Sequence, residues 1–245
     1  MKIILAPAKK MNIADDDFSA KGMPVYISDT KVLLEKLRTL DTAELKELWK
    51  CSDRLVKQNE QRIRSMDLYN SVSPAVFAYE GLAYQHMAPG AMDTQQLDYL
   101  QEHLRILSGF YGVLKPFDAV VPYRLEMQAV FPDGTRLYDF WGDRLYKALD
   151  DHVIVNLASK EYSDAVRPYL SPEDTLIDIV FGEKKGNKIV TKGTYAKMAR
   201  GDMVWYMADH RTERYEDLKQ FNEHFRYSEE DSSEDTYVFL AEEEQ

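Results

Sequence analysis

Lys2-Ile3-Ile4-Leu5 is a short, continuous apolar run ended by Pro7, and similar runs return at His152-Val-Ile-Val-Asn156, at residues 176–181 and at Thr236-Tyr-Val-Phe-Leu240. Uninterrupted apolar runs this short, bounded by turn residues, read as strands inside a sheet. Between them lie segments with apolar residues at helical spacing: Val32, Leu33, Leu37 and Leu40; then Leu45, Leu48, Trp49, Leu55 and Val56; then Leu97, Leu100, Leu104 and Leu107. Strands alternating with helices predict an α/β protein, a single-domain mixed sheet flanked by helices over residues 1–245, with an acidic C-terminal segment at 227–245. With 245 residues and 44% hydrophobic content, the chain can bury a full core.

Local signals set the ends of these elements. Ser28 or Asp29 can cap the first helix, and Asp41-Thr42-x-Glu44 has capping-box spacing for the second. Asp93 or Thr94 starts another helix, read as running up to Gly109. Residues 138–149 and 161–169 read as helical, and Thr194 opens a helix to about residue 209. Ala75-Val-Phe-Ala-Tyr79, after Pro74, reads as a strand, and Asp15-Asp16-Asp17 as part of an exposed loop. Gly182-Glu-Lys-Lys-Gly186-Asn187 reads as a hairpin turn; it lacks the Gly-Lys-Ser/Thr ending of a phosphate-binding P-loop.

The formal charge of −11 opposes nucleic-acid binding at long range. Its distribution weakens that objection. Residues 227–245 hold eight acids and no base, which leaves 34 acids and 31 bases elsewhere, while residues 184–200 contain Lys184, Lys185, Lys188, Lys192, Lys197 and Arg200 and no acid. Cys51 is the only cysteine, so neither an intramolecular disulfide nor a cysteine-based zinc cluster can form. The apolar stretch after Met1 is too short for the centre of a signal peptide, and no run of eighteen apolar residues occurs; a cytoplasmic protein without membrane association is expected.

The segment most suited to chemistry is Leu104-Arg-Ile-Leu-Ser-Gly-Phe-Tyr-Gly-Val-Leu-Lys-Pro-Phe-Asp118, read as a helix, a tight glycine turn and a restart. Backbone amides of Ser108, Gly109, Tyr111 and Gly112, with Lys115 beside them, would hold a phosphate in the manner of a helix-hairpin-helix. The spacing of Gly109 and Gly112 is wider than that motif usually has, and on its own the segment is better explained as an internal αα-turn with Phe110 and Tyr111 in the core. In Pro122-Tyr-Arg-Leu-Glu-Met127, Arg124 and Glu126 share one side of an extended segment, either as a structural ion pair or as a phosphate ligand held by its carboxylate. Lys9 follows the first strand, where α/β ligand crevices open. Asn156 and Ser159 follow another, as ligand group and helix cap. Lys197 and Arg200 sit three apart on a helix, with Lys192 just before its start. Each of these has a plain structural alternative, as solvated surface or cap. The five histidines lack metal-ligand spacing and no nucleophile elbow occurs, so no metal, cofactor or catalytic motif is assigned.

Taken together, Ala6-Pro-Ala-Lys9, the 104–118 segment, Pro122-Tyr-Arg-Leu-Glu-Met127, Phe140-Trp-Gly-Asp143, Asn156-Leu-Ala-Ser-Lys-Glu-Tyr162 and Tyr195-Ala-Lys-Met-Ala-Arg-Gly201 closely resemble the YaaA family of bacterial peroxide-stress proteins, from Lys2 to about Leu240. The chain departs at Lys10, where the family often has threonine. The resemblance implies a family-specific α/β fold, a cytosolic role in limiting iron-dependent damage by hydrogen peroxide, and DNA binding through a basic cleft with a helix-hairpin-helix-like element. Two readings of the cationic residues follow: sequence-independent binding of double-stranded DNA, bent or branched forms preferred, or an enzyme pocket for a nucleotide or other phosphate-bearing small molecule. A closed pocket would favour the enzyme, and an open basic groove the DNA binder.

Overall fold

The computed structural model describes residues 1–13, 18–70, 72–186 and 188–242; the predicted loop at Asp15-Asp16-Asp17 lies outside them. Eight strands form the main sheet: β1 (Lys2–Leu5), β2 (Leu104–Ser108), β3 (Gly112–Leu114), β4 (Val153–Asn156), β5 (Thr175–Lys185), β6 (Lys188–Val190), β7 (Phe225–Tyr227) and β8 (Thr236–Ala241). Their order is β7-β8-β5-β4-β1-β2-β3, with β6 added to β5. The five inner strands β8, β5, β4, β1 and β2 run parallel, and β3, β6 and β7 are antiparallel to their partners. Ile3, Ile4, Leu5, Ile154 and Val155 are all at most 1% exposed. Their continuous apolar pattern is that of strands covered on both faces.

The helices that matter for the site are α1 (Ile27–Thr39), α2 (Thr42–Trp49), α3 (Asp53–Ser65), α4 (Leu82–Met87), α5 (Thr94–His103), α6 (Leu137–Trp141), α7 (Lys160–Ser163) and α8 (Gly193–His210). The Asp41–Glu44 capping box forms at α2, and Asp93 with Gln96 forms a second one at α5. None of these helices is long and apolar enough to cross a membrane. The C-terminal acidic segment is integrated in the sheet: β8 pairs with β5 from Thr236 to Leu240, and β7 pairs with β8.

Several predicted elements differ: α1 begins at Ile27 with Tyr26, not Ser28 or Asp29, at its cap position, the segment from Leu45 to Val56 divides between α2 and α3, and residues 138–149 hold two short helices, Leu137–Trp141 and Arg144–Lys147. Residues 104–108 are a fully buried strand, not the end of a helix, because α5 stops at His103, Leu104 to Ile106 pair with β1, and Leu107 pairs with β3. Residues 75–78 form one helical turn, followed by a two-residue strand at Tyr79–Glu80. These last two are short apolar runs, where periodicity alone does not separate helix from strand.

The chain winds from β1 to β2 on one side and then crosses to β4 on the other. In parallel sheets that reversal leaves a crevice beyond the carboxyl ends of the two strands, here β1 and β4.

From β3 the chain turns at Asp118 toward the segment carrying Arg124. The Asp118 carboxylate accepts from the Lys115 N–H at 2.8 Å and its carbonyl from the Ala75 N–H at 2.9 Å. Burial pushes its carboxyl up to about 6, against the opposing pull of the Lys115 amide and the Lys115 and Arg105 charges. The folded pKa therefore lies above the unfolded value of about 3.9, so this group favours folding below that value and loses its contribution as pH rises through about 6. Asp118→Asn keeps the acceptor and removes the titration. Urea unfolding at stepped pH should give a variant whose stability falls less than wild type's between pH 4 and 6, by about 2 kcal/mol; coincident pH profiles would refute the assignment.

Candidate functional site

A cleft of about 480 Å³ opens at the carboxyl ends of β1 and β4. Lys9, Arg124, Glu126, Ser159, Lys197 and Arg200 all line it, joined from four separate stretches of sequence. Each wall has an identifiable support. The loop after β1 is tied to α4 by the Tyr84 hydroxyl, which donates to the Ala6 carbonyl at 3.0 Å, and Gly81 lets it approach, since a Cβ there would sit 2.9 Å from Ala8 Cβ. The β4 side is fixed by the Leu157 N–H, which donates to the Ile4 carbonyl at 3.0 Å. Helix α8 crosses α4 at Gly201, where any Cβ would run into the Ala83 carbonyl.

The fourth wall is an extended, unpaired arm through Arg124 and Glu126. It rests on the turn between β2 and β3. A Cβ on Gly109 would lie 2.6 Å from the Leu125 carbonyl oxygen and 2.9 Å from the Glu126 carbonyl carbon, so glycine is required for close backbone approach. The Gly109 carbonyl in turn accepts from the Trp141 indole of α6 at 3.0 Å. Beneath the arm, Tyr123 exchanges hydrogen bonds with Tyr79 (2.9 Å) and Ser108 (2.6 Å). Burial pushes the Tyr123 phenol up to about 12, so this buried chain stays neutral.

Within the cleft, Glu126 accepts from both the Lys9 ammonium (3.0 Å) and Arg124 Nη2 (3.2 Å). Lys10 pairs with Glu80 at the rim. Arg124 Nε is buried without a partner. Arg200 goes further: its Nε is buried and unpartnered, and the side chain makes no hydrogen bond or ion pair with any described residue. Burial lowers its guanidinium from the usual value. The Ser159 side chain stands at the start of α7 without capping it. Burial raises the Glu161 carboxyl, the nearby Glu126 charge adds to this, and the Gln128 N–H opposes it. A desolvated cation beside hydroxyl and lysine groups is an arrangement that an anionic oxygen cluster would complete.

The remaining expected residues lie elsewhere. Residues 108–112 form a β-hairpin turn inside the core, not a helix-hairpin-helix. The Ser108 hydroxyl accepts from the Phe110 and Tyr111 N–H groups at 3.2 and 2.9 Å, and the Tyr111 hydroxyl accepts from the Val121 N–H at 3.0 Å. Both side chains are fully buried and offer nothing to a ligand. Gly112 has the left-handed φ of +76° expected of a glycine turn, but it packs on Trp141 and Tyr26. Two helices joined by a short turn do occur, at α2 and α3, linked through Lys50 in a left-handed conformation. Lys115 is exposed away from the cleft. Asn156 is consumed by structure, donating to Asp178 at 2.7 Å and accepting from the Ala158 N–H at 2.9 Å. Lys192 faces a second cavity, on the other side of α8, and pairs with Glu183 at 2.5 Å. Among the described residues no group of three or more His, Cys, Asp or Glu side chains is placed to hold a metal ion.

Sequence reasoning missed Tyr84, Gly81, Lys10 and Glu161 as cleft residues. Glu161 stood within a quoted motif; Gly81 and Tyr84 carried no local signal, because their roles exist only against the loop after β1.

Gly109→Ala should push the arm off its seat, costing about 1–3 kcal/mol of stability and weakening anion binding. Gly193→Ala, where nothing lies within 4 Å of the new atom, should be neutral or slightly stabilising. Thermal unfolding with and without added phosphate measures both, and equal behaviour of the two variants would rule out the close-approach role.

A family model described as peroxide stress protein YaaA matches residues 1–231. A UPF0246 protein of Agathobacter rectalis is 50% identical over 244 residues, 98% of each chain. Others from Pediococcus pentosaceus and Lachnoclostridium phytofermentans are each 48% identical, over 248 and 245 residues, covering 99% and 98% of this chain and 99% and 96% of their own. With parts of four of the motifs meeting at one cleft and similarity over nearly the whole length, the chain belongs to the YaaA family of peroxide stress proteins.

Proposed function

We propose that this protein acts in the peroxide-stress response by binding double-stranded DNA through its backbone phosphates, with the cleft as the phosphate seat. One observation carries the reading: Arg200 lines the cleft half-buried, its Nε buried, with no anionic or hydrogen-bonding partner among the described residues. A partly desolvated guanidinium without a partner carries a cost that a bound phosphate would offset. The cleft opens between exposed lysines rather than closing over: the Lys9 and Lys10 side chains are 68% and 71% exposed, and Lys197 is exposed as well. Their pairings with Glu126 and Glu80 are surface ion pairs worth about 0–1 kcal/mol, weak enough to exchange for phosphate. Contacts of this kind position a duplex without reading its sequence. With residues 108–112 a β-hairpin, no helix-hairpin-helix there supports a preference for bent or branched duplex.

The second reading, a pocket for a phosphorylated small molecule, is favoured by the cleft's place at the β1–β4 crevice and by its apolar floor of Leu5, Leu125 and Leu157. The iron-related role implied by family resemblance is tested by metal analysis of protein purified without chelator; stoichiometric iron would support it.

Arg200→Met should separate function from stability. Removing this unpaired, half-buried guanidinium should raise unfolding stability by about 1 kcal/mol and abolish the stabilisation that added phosphate gives wild type. A variant that is destabilised and still protected by phosphate would overturn the phosphate seat.

For DNA, the Arg124→Ala/Lys197→Ala/Arg200→Ala protein should bind unrelated duplexes with similarly reduced affinity. The slope of log affinity against log salt should shrink by about 0.9 for each lost contact. Titration of labelled linear and branched duplexes at several salt concentrations reads this directly. Unchanged duplex binding with phosphate protection lost would transfer the cleft to the small-molecule reading.

A further inference from the structure

Beyond Gly182, where β8 ends its pairing, β5 continues to Lys185 and is met only by β6. The result is a two-stranded arm running past the main sheet. At its tip Lys185 stands directly opposite Lys188, and both are exposed. Directly opposed residues of an antiparallel pair share a face, and like charges there repel. Neither lysine makes an ion pair with any described residue. The neighbouring cations are treated differently. Lys184, on the opposite face, is held by Asp231 at 3.0 Å, and Lys192 by Glu183 at 2.5 Å. The two tip lysines are thus left uncompensated in a protein of net charge −11 that has acids to spare.

At the base of the arm Tyr195 is 54% exposed, with the Lys192 ammonium 5.5 Å from its ring centre. An exposed aromatic beside a row of lysines offers a stacking surface next to phosphate contacts. A two-stranded ribbon is also of the width that a duplex major groove admits.

We infer that the β5–β6 hairpin is a second DNA contact, an arm that takes backbone phosphates at Lys185 and Lys188 on the far side of α8 from the cleft. The inference rests on the DNA reading proposed above. It adds a contact that the cleft residues do not supply, and it gives a physical reason why the segment from Lys184 to Arg200 carries no acid.

The test is fluorescence anisotropy of a labelled linear duplex titrated with the full-length protein at 50 to 200 mM salt. Wild type is compared with Lys185→Ala/Lys188→Ala and with Lys31→Ala as a surface control on α1. Unfolding curves should coincide for all three, since the replaced side chains are exposed. The double variant should bind several-fold more weakly and lose about 2 from the magnitude of the salt slope, near 0.9 per contact, while the control keeps both. If wild type binds duplex and the double variant keeps its slope, the arm is overturned and the cleft reading stands. If wild type binds no duplex even at 50 mM salt, the DNA reading falls and the arm with it. Should the double substitution spare duplex binding but abolish binding to vesicles of anionic lipid, the arm is a membrane contact and the inference is wrong.

Discussion

The molecule is organised around β1, a four-residue strand with parallel partners on both sides. Its apolar residues have no exposed face, so the sheet must extend left and right of it and helices must cover it above and below. Because the chain builds one side first and then crosses to the other, the crevice at the carboxyl end of β1 is a consequence of the winding and not of any local motif. Lys9 is brought there simply by following β1. Ser159 is brought by following β4. Neither would line a cleft if the two strands were not neighbours.

The remaining cleft residues depend on close backbone approach. Arg124 and Glu126 lie on an arm with no strand partner, and it is held by packing on Gly109, whose carbonyl is anchored by Trp141. Lys197 and Arg200 come from α8, whose distance from the cleft is set where Gly201 lets it cross α4. The glycines that read most naturally as phosphate ligands are therefore structural spacers that place other residues. The acids follow a similar logic. Glu126 joins Lys9 to Arg124 across more than a hundred residues of sequence, holding the arm against the loop after β1, while Arg200 is left without any such partner.

The strand at Lys2–Leu5, the capping boxes at Asp41 and Asp93, the hairpin after residue 181 and the closing strand at Thr236 were legible locally, since each depends on residues adjacent in sequence. Leu104 and Leu107 were not. Their spacing continues the helical pattern of Leu97 and Leu100, yet pairing of Leu104 with β1 and of Leu107 with β3 converts them to strand. That tertiary override changed the meaning of the whole 104–118 segment, from a phosphate-holding turn to a buried hairpin. Asn156 was misread for a related reason: a polar residue ending a strand looks like a ligand until Asp178 is found in the next strand.

By itself, the sequence determined the α/β class, the starts of α2 and α5, the position of the basic stretch and the family, because periodicity, capping and motif order are properties of neighbouring residues. It also named six of the cleft residues without showing that they meet. Only the tertiary structure decided which cations share a cleft, since that follows from the strand order around β1 and the α4–α8 crossing. Lys192 shares α8's basic stretch with Arg200 yet faces the opposite cavity. Pairing was likewise decided in three dimensions: an arginine is compensated or left bare according to which carboxylates the folded chain brings within reach, and here Arg124 has one and Arg200 has none among the described residues.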